Sequence, residues 1–159
     1  MEIRYRPIGI IHSPFSDIKG MPIQPSGAEK VAGSIEIYPE FADGLKDLDG
    51  FSHIILLYHF HRSTDFSLIV TPFLDTEPRG VFATRAPKRP NSIGLSIVRL
   101  LKVDRNILHI ENVDVLDGTP LLDIKPYVPD FDQHPVDRIG WLEKARGRAL
   151  SHKADDRFH

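Results

Sequence analysis

Two segments of the chain carry residue types that can hold and orient a ligand, and the first is the more specific. It runs from Thr84 to Ser96 and reads Thr-Arg-Ala-Pro-Lys-Arg-Pro-Asn-Ser-Ile-Gly-Leu-Ser. Pro87 and Pro90 fix their own φ angles and bias the residues before them toward extended conformations, so this segment is predicted to be a stiff loop. Three basic side chains on a stiff loop favour contact with an anionic or strongly polar ligand.

Basic residues outnumber acidic residues only in this neighbourhood. The whole sequence has 20 basic and 22 acidic residues, a formal net charge of -2. Residues 79–102 contain six basic residues and no acid, whereas the chain before them has six and eleven, and the chain after them eight and eleven. Any binding of nucleic acid is therefore expected to depend on this local patch.

The second segment runs from Asp114 to Tyr127 and contains the turn Asp117-Gly118-Thr119-Pro120. Glycine permits close approach of the backbone, and the aspartate can accept hydrogen bonds from a ligand. The same four residues are equally typical of a plain connector between two strands. Asp123 and Lys125 alternate with apolar residues, which predicts an acid and a base on one face of a strand.

Two further groups of residues give weaker indications of a binding site. His53, His59 and His61 are spaced for one face of a strand, which suggests a metal site, although separate, partly buried histidines are the more common outcome. The loop from Met21 to Pro25 contains Gln24, whose amide can recognise a nucleobase edge but is more often simply solvated.

The elements that position these residues are predicted to be mostly strands. Seven β-branched or aromatic runs are bounded by turn residues and favour a sandwich or a barrel: Tyr5–Ile11, Ser34–Tyr38, His53–Phe60, Gly80–Ala83, Ile93–Val103, Ile107–Val113 and Leu121–Lys125. Asp104-Arg105-Asn106 is predicted to be a three-residue hairpin turn. Two helices are expected, a short one at Phe41–Leu48 and a C-terminal one at Val136–Leu150, followed by a frayed polar tail.

Several classes of protein lack support in the sequence. There is no cysteine, so disulfides and thiolate metal sites are excluded, and no signal peptide or membrane span is visible. The Walker, G-x-G-x-x-G, H-E-x-x-H and G-x-S-x-G motifs are absent. The chain is expected to be a cytoplasmic, mostly β protein without a membrane anchor.

Three strings resemble the TsaA-like or TrmO family. They are Pro7–Phe15 (PIGIIHSPF), Gly80–Ser96 (GVFATRAPKRPNSIGLS) and Asp117–Tyr127 (DGTPLLDIKPY), and the resemblance spans residues 3–129. The family consists of S-adenosylmethionine-dependent tRNA methyltransferases that methylate N6 of threonylcarbamoyl-adenosine beside the anticodon. The resemblance implies a small β-barrel, assigned to residues 1–130. Together with the pattern above, it predicts a mostly β, single-domain barrel with long loops, followed by a C-terminal extension over residues 131–159 that contains the short C-terminal helix and the frayed tail.

The resemblance also implies a set of residues that bind S-adenosylmethionine and a homodimer that binds tRNA. Arg85 is expected to pair with the carboxylate of the cofactor, and Leu95 and Leu116 to supply apolar surface for adenine. Lys88 and Arg89 are expected to contact tRNA phosphates from the opposite side of the loop. The implied cofactor-binding set comprises Pro22, Ile23, Gln24, His61, Arg62, Arg85, Leu95, Leu116, Asp117, Gly118, Thr119 and Pro120.

The sequence does not choose the residue that accepts the proton of the methylated nitrogen. Asp117, Asp123 and Tyr127 all have a suitable side chain, and no metal is required. Two alternatives to a methyltransferase are a non-catalytic module that binds the cofactor or RNA, and a histidine-dependent metalloenzyme.

Overall fold

Six strands form a closed antiparallel barrel in the computed structural model, which describes residues 1–22 and 30–145. The strand order around the barrel is β1-β2-β7-β6-β3-β8, and β8 pairs back onto β1, as the predicted barrel requires. Two further strands, β4 and β5, form a separate ribbon. The strands are β1 Gly9–His12, β2 Ala32–Ile37, β3 His53–His59, β4 Ile69–Val70, β5 Arg79–Gly80, β6 Ile93–Asp104, β7 Ile107–Glu111 and β8 Thr119–Pro126.

Alternation of side chains along each strand fills the barrel interior. On β6, Gly94, Ser96, Val98 and Leu100 are buried, while the residues between them face outward. Burying the aliphatic side chains of all six strands supplies the main driving force for closure. The largest fully buried side chains are Ile11, Ile35, Ile37, Ile54, Leu56, Leu108, Ile110 and Leu121.

The helices are shorter than predicted, and most are 3₁₀ rather than α. Pro39–Leu45, Leu48–Gly50, Val81–Ala83 and Gly140–Ala145 are 3₁₀ helices, and Pro129–Asp132 is a four-residue α-helix. The helix predicted from Val136 to Leu150 was wrong over its first four residues, because the 3₁₀ helix begins at Gly140. Gly140 has φ of 59°, which interrupts a right-handed helix. Residues 146–150 of that prediction lie outside the described residues. No described helix has the length and apolarity needed to cross a membrane.

One turn prediction and one strand prediction also need correction. Asp104 pairs with Ile107, so the β6–β7 turn contains two residues, not three, and Arg105 supplies the positive φ of 55°. Asn106 instead bridges to β2, since its Nδ2 donates to the carbonyl oxygen of Ile37 at 2.8 Å. The predicted strand Gly80–Ala83 begins one residue earlier as β5 and gives way to a 3₁₀ turn at Val81.

The two ends of the barrel differ in how they are covered. At the end where β3 begins, which we call the capped end, Phe41, Leu45 and Leu48 of the 3₁₀ turns pack against the core. At the other end, which we call the open end, β3 finishes at His59 while β6 and β8 begin. The two ligand-binding segments predicted from the sequence meet at the open end, because antiparallel pairing brings these strand termini together.

Candidate functional site

A cavity of about 820 Å³ with mostly apolar walls lies at the open end of the barrel. Six stretches of the described chain, distant in sequence, contribute to its lining: positions within 18–22, the end of β3 with its following loop, residues 72–74, positions within 82–89, the start of β6, and positions within 114–119. Trp141 and Leu142 of the C-terminal 3₁₀ turn complete the wall. This volume is in the range of a site for a small molecule or cofactor.

The basic loop is braced from within by one of its own arginines. Arg89 Nη1 donates to the carbonyl oxygens of Thr84 at 2.8 Å and Ala86 at 3.1 Å. Thr84 stabilises the same loop, since its hydroxyl donates to the carbonyl oxygen of Val81 and accepts from the amide of Ala86. The side chains of Val81 and Ala86 are buried beneath the loop. The loop is therefore held by hydrogen bonds and packing as well as by its prolines.

The three basic side chains of this loop have different environments. Arg85 is exposed and lines the cavity, and Arg89 lines it as well while bracing the loop. The Nζ of Lys88 lies 3.5 Å from Asp65 Oδ1 and is outside the cavity lining. Arg85 and Arg89 thus lie on the same side of the loop, not on opposite sides as the sequence suggested.

The Asp117–Pro120 turn is attached to the end of β1. Asp117 Oδ1 accepts from the amide of Ser13 at 3.0 Å, and the amide of Gly118 donates to Ile11. Gly118 has φ of 80°, which favours glycine. Thr119 is buried in the cavity wall, where its hydroxyl donates to Leu116 at 2.7 Å. Asp117 is exposed and lies beside the cavity, outside its lining.

A chain of three polar side chains, which we call the polar chain, reaches the cavity from the barrel interior. Ser96 Oγ donates to Asp114 Oδ1 at 2.7 Å, and Tyr58 Oη lies 2.9 Å from Ser96 Oγ. Tyr58 and Ser96 are buried, and both Tyr58 and Asp114 line the cavity. Burial raises the pKa of Asp114 to about 7, against the opposing effects of the Ser96 hydrogen bond and the Arg85 charge.

Burial and the charge of Asp114 raise the pKa of Tyr58 as well, so this phenol stays protonated. Gly94 provides the space for the tyrosine ring. A Cβ at Gly94 would lie 2.8 Å from Phe60 Cζ and still closer to the Tyr58 ring. Glycine is therefore needed here for close packing, at a backbone position without positive φ.

The four residues after β3, Phe60 to Ser63, extend the wall of the cavity. Burial, followed by the charges of Arg62 and His59, lowers the pKa of His61, so its imidazole is neutral near pH 7. Among the described residues, no group of three or more histidine, aspartate or glutamate side chains is arranged to hold a metal ion.

The C-terminal 3₁₀ turn is joined to the basic loop across 58 residues of sequence. Trp141 Nε1 donates to the carbonyl oxygen of Ala83 at 2.8 Å. The guanidinium of Arg79 lies 5.9 Å from the Trp141 ring centroid and pairs with Asp75 at 2.7 Å. The turn therefore belongs to the cavity wall, although no role in the site was predicted for it.

Comparison with known families identifies the barrel. The family model described as the tRNA-methyltransferase O N-terminal domain matches residues 10–133. The chain belongs to this family. The match includes the basic loop, the polar chain and the Asp117–Pro120 turn, whereas Trp141 and Leu142 lie beyond it.

Relatives in the tRNA-methyltransferase O family come from archaea, bacteria and mammals. A probable S-adenosyl-L-methionine-binding protein of Pyrococcus abyssi is 58% identical over 156 residues, covering 98% of this chain and 85% of the relative. The tRNA (adenine(37)-N6)-methyltransferase of Rattus norvegicus is 39% identical over 135 residues, covering 79% of this chain and 31% of that protein. The crystal structure of TrmO from Pseudomonas aeruginosa aligns with a TM-score of 0.75 at 40% identity and covers 89% of this chain. This chain spans 63% of the Pseudomonas chain, a little under two thirds.

The tRNA-methyltransferase O barrel brings many of the sequence-predicted residues into one cavity. Pro22, His61, Arg62, Arg85, Arg89, Leu95, Leu116 and Thr119 line it. Lys88, Asp117, Gly118 and Pro120 are outside the lining, and Ile23 and Gln24 lie outside the described residues. Asp123 and Tyr127 lie toward the capped end, where the amide of Tyr127 donates to His53 at the start of β3.

The sequence predictions missed Tyr58, Asp114 and Trp141 as cavity residues. One signal was available, because period-two alternation along β6 puts Ser96 on the buried face among aliphatic residues. A buried hydroxyl requires a polar partner, which points to a polar chain without identifying its other members.

Proposed function

We propose that this protein is a cytoplasmic, S-adenosylmethionine-dependent methyltransferase that methylates N6 of a threonylcarbamoyl-adenosine next to the anticodon of tRNA. The cavity at the open end carries this proposal, because an apolar chamber with a few convergent polar groups is suited to binding a cofactor and aligning a reacting nitrogen. Membership of the tRNA-methyltransferase O family supports the same reaction.

The chemistry of the cavity fits the two ends of S-adenosylmethionine. Leu95, Leu116 and Phe82 offer apolar surface to an adenine ring, and the Arg85 guanidinium offers a charged partner to a carboxylate. The bound cofactor supplies a methyl group on a sulfonium, which is already activated for transfer. The work left to the protein is to hold the acceptor nitrogen in line and to exclude water.

The basic residues around the mouth support tRNA as the substrate. Arg62 and Arg85 line the cavity and are exposed, and Lys88 lies on the adjacent outer side of the loop. Phosphate contacts by such side chains weaken as salt rises, so binding of tRNA should be strongly salt-dependent. Arg89 contributes indirectly on this proposal, by keeping the loop in place.

Apolar side chains around the same mouth support a homodimer. Phe82 is 76% exposed, Leu95 43% and Ile93 39%, and all three line the cavity. We propose that a second copy covers this rim, which would also narrow the entrance to the adenosine. Sedimentation equilibrium tests the pairing, and a Phe82→Asp variant should shift it toward monomer.

Methylation of defined tRNA tests the proposed reaction directly. Purified protein is incubated with S-adenosylmethionine and with tRNA that either carries or lacks the threonylcarbamoyl group, and the nucleosides are analysed by mass spectrometry. A mass increase of one methyl group is expected only on the modified adenosine. Binding of S-adenosylmethionine without transfer to either tRNA would instead identify a non-catalytic module.

A further inference from the structure

Asp114 differs in its surroundings from the two aspartates that the sequence analysis proposed as proton acceptors. Among the described residues, it is the only aspartate or glutamate in the cavity lining. Asp117 is exposed beside the cavity and accepts from the Ser13 amide, while Asp123 pairs with Lys125 at 2.9 Å. The carboxylate that lines the cavity is therefore one that the family motif strings did not single out.

The hydrogen bonds of the polar chain run in one direction. Ser96 has a single hydroxyl proton, and the geometry assigns it to Asp114 Oδ1. Tyr58 must then donate to Ser96, because the serine oxygen can only accept from it. The chain Tyr58 to Ser96 to Asp114 thus ends on one carboxylate oxygen and fixes the carboxylate plane.

We propose that Asp114 is the proton acceptor of methyl transfer, with Ser96 and Tyr58 as its positioning residues. This inference rests on the proposed function. As the adenosine nitrogen forms its bond to the methyl carbon, the carbon–sulfur bond breaks and its electron pair remains on sulfur. The proton of the nitrogen passes to Asp114 Oδ2, which leaves a neutral thioether, a methylated neutral nitrogen and a neutral carboxylic acid.

The charged groups and the burial around Asp114 suit it to accept a proton. Five other titratable or charged side chains of the described residues line the same cavity: Tyr58, His61, Arg62, Arg85 and Arg89. Arg85 favours the carboxylate form, and burial favours the acid form, so the pKa near 7 lets one group exist in either form at neutral pH. A general base with a pKa close to the working pH is the most effective kind.

His61 is the other group in the cavity able to take a proton, and the structure favours Asp114 over it. The pKa of His61 is lowered by burial and by the positive charges of Arg62 and His59, which makes the imidazole a weaker base. No hydrogen-bonded chain comparable to that of Asp114 is seen for His61 among the described residues.

Asp114→Asn tests the assignment, because the amide keeps the shape of the side chain and an oxygen that can accept from Ser96. The single-turnover rate of methyl transfer to tRNA carrying threonylcarbamoyl-adenosine should fall by about 100-fold or more. Affinity for S-adenosylmethionine, measured by calorimetry at pH 6, should stay within about threefold. Asp43→Asn, at an exposed position on the capped end, is the matched control and should transfer at the wild-type rate.

The pH profile separates proton acceptance from a structural role. The wild-type rate should rise about tenfold from pH 6 to a plateau above pH 7, and the residual rate of Asp114→Asn should be flat. Ser96→Ala removes the hydrogen bond that lowers the pKa of Asp114, so its profile should shift to higher pH. Carbon NMR of aspartate-labelled protein should find a carboxyl titrating near pH 7 that disappears in Asp114→Asn and moves upward in Ser96→Ala.

The outcomes are distinct for the two proposals. An active wild type with an equally active Asp114→Asn variant, or with an unchanged pH profile in that variant, overturns the role of Asp114 alone. A wild-type protein that binds S-adenosylmethionine but methylates no tRNA overturns both the reaction and the acceptor.

Discussion

The two ends of the barrel are made from the same six strands, but one is closed by apolar packing and the other holds a cavity. The capped end is closed by Phe41, Leu45 and Leu48, which pack on the core as ordinary apolar side chains. At the open end, Ser96 and Thr119 are buried polar residues, and Asp114 and Tyr58 face a cavity. A carboxylate removed from water costs free energy in its charged form, so burial of Asp114 lowers the stability of the open end at neutral and higher pH.

This contrast predicts its largest effect for the stability of Asp114→Asn. The folded carboxyl keeps its proton up to about pH 7, whereas the unfolded one releases it near pH 4, so the folded state binds more protons between these values. The free energy of unfolding of the wild type should therefore fall as pH rises from 4 to 7. At pH 8 the variant should be more stable than the wild type by on the order of 3 kcal/mol.

Chemical denaturation of both proteins at pH 4.5 and pH 8 measures this difference. The gain should be much smaller at pH 4.5, which lies close to the pH at which the unfolded carboxyl releases its proton. Equal stability of the two proteins at pH 8 would mean that the open end bears no such cost.

Arg85→Ala should have the next largest effect, on ligand binding rather than on folding. Loss of a charge-assisted contact to the cofactor carboxylate should weaken S-adenosylmethionine binding by about 2 kcal/mol, or roughly 30-fold, by calorimetry. The same change removes the positive charge near Asp114, so the titration of that carboxyl should move to higher pH. A wild-type affinity in the variant would remove Arg85 from the binding site.

Leu48→Ala probes the other side of the comparison. Its side chain is partly buried at the capped end, so truncation should lower the free energy of unfolding by about 1–2 kcal/mol. Cofactor affinity and transfer rate per folded molecule should not change at 25 °C, because the cavity lies at the opposite end. A change in either one without unfolding would show that the two ends are coupled.

Trp141→Phe is the smallest perturbation and tests the C-terminal wall. It keeps most of the apolar surface and removes the indole hydrogen bond to Ala83, so it should cost about 1 kcal/mol or less in cofactor binding. Trp141→Ala, which also removes the ring that the Arg79 guanidinium faces, should cost more. Identical affinities for both variants and the wild type would place the C-terminal turn outside the working site.

The barrel could be predicted from the sequence, and part of the site could not. Alternation along runs such as Ile93–Val103 depends on local pattern, and the motif strings carry the family resemblance, so both are readable from the chain. The contacts of Trp141 with Ala83 and of Asp114 with Ser96 depend on how distant segments meet after closure. The helical periodicity after Val136 led to a wrong prediction because the backbone of Gly140 has a left-handed conformation.

Closure of the barrel determines how other molecules can attach to it. Each of the six barrel strands has a hydrogen-bonded neighbour on both sides, so most of the barrel offers no free edge along which a β-strand could be added. Of the strands in the described part of the chain, β4 and β5 are the two that lie outside the barrel. A partner that docks on the barrel is therefore recognised mainly through side chains and loops, because most backbone amides of the barrel strands already donate hydrogen bonds to neighbouring strands.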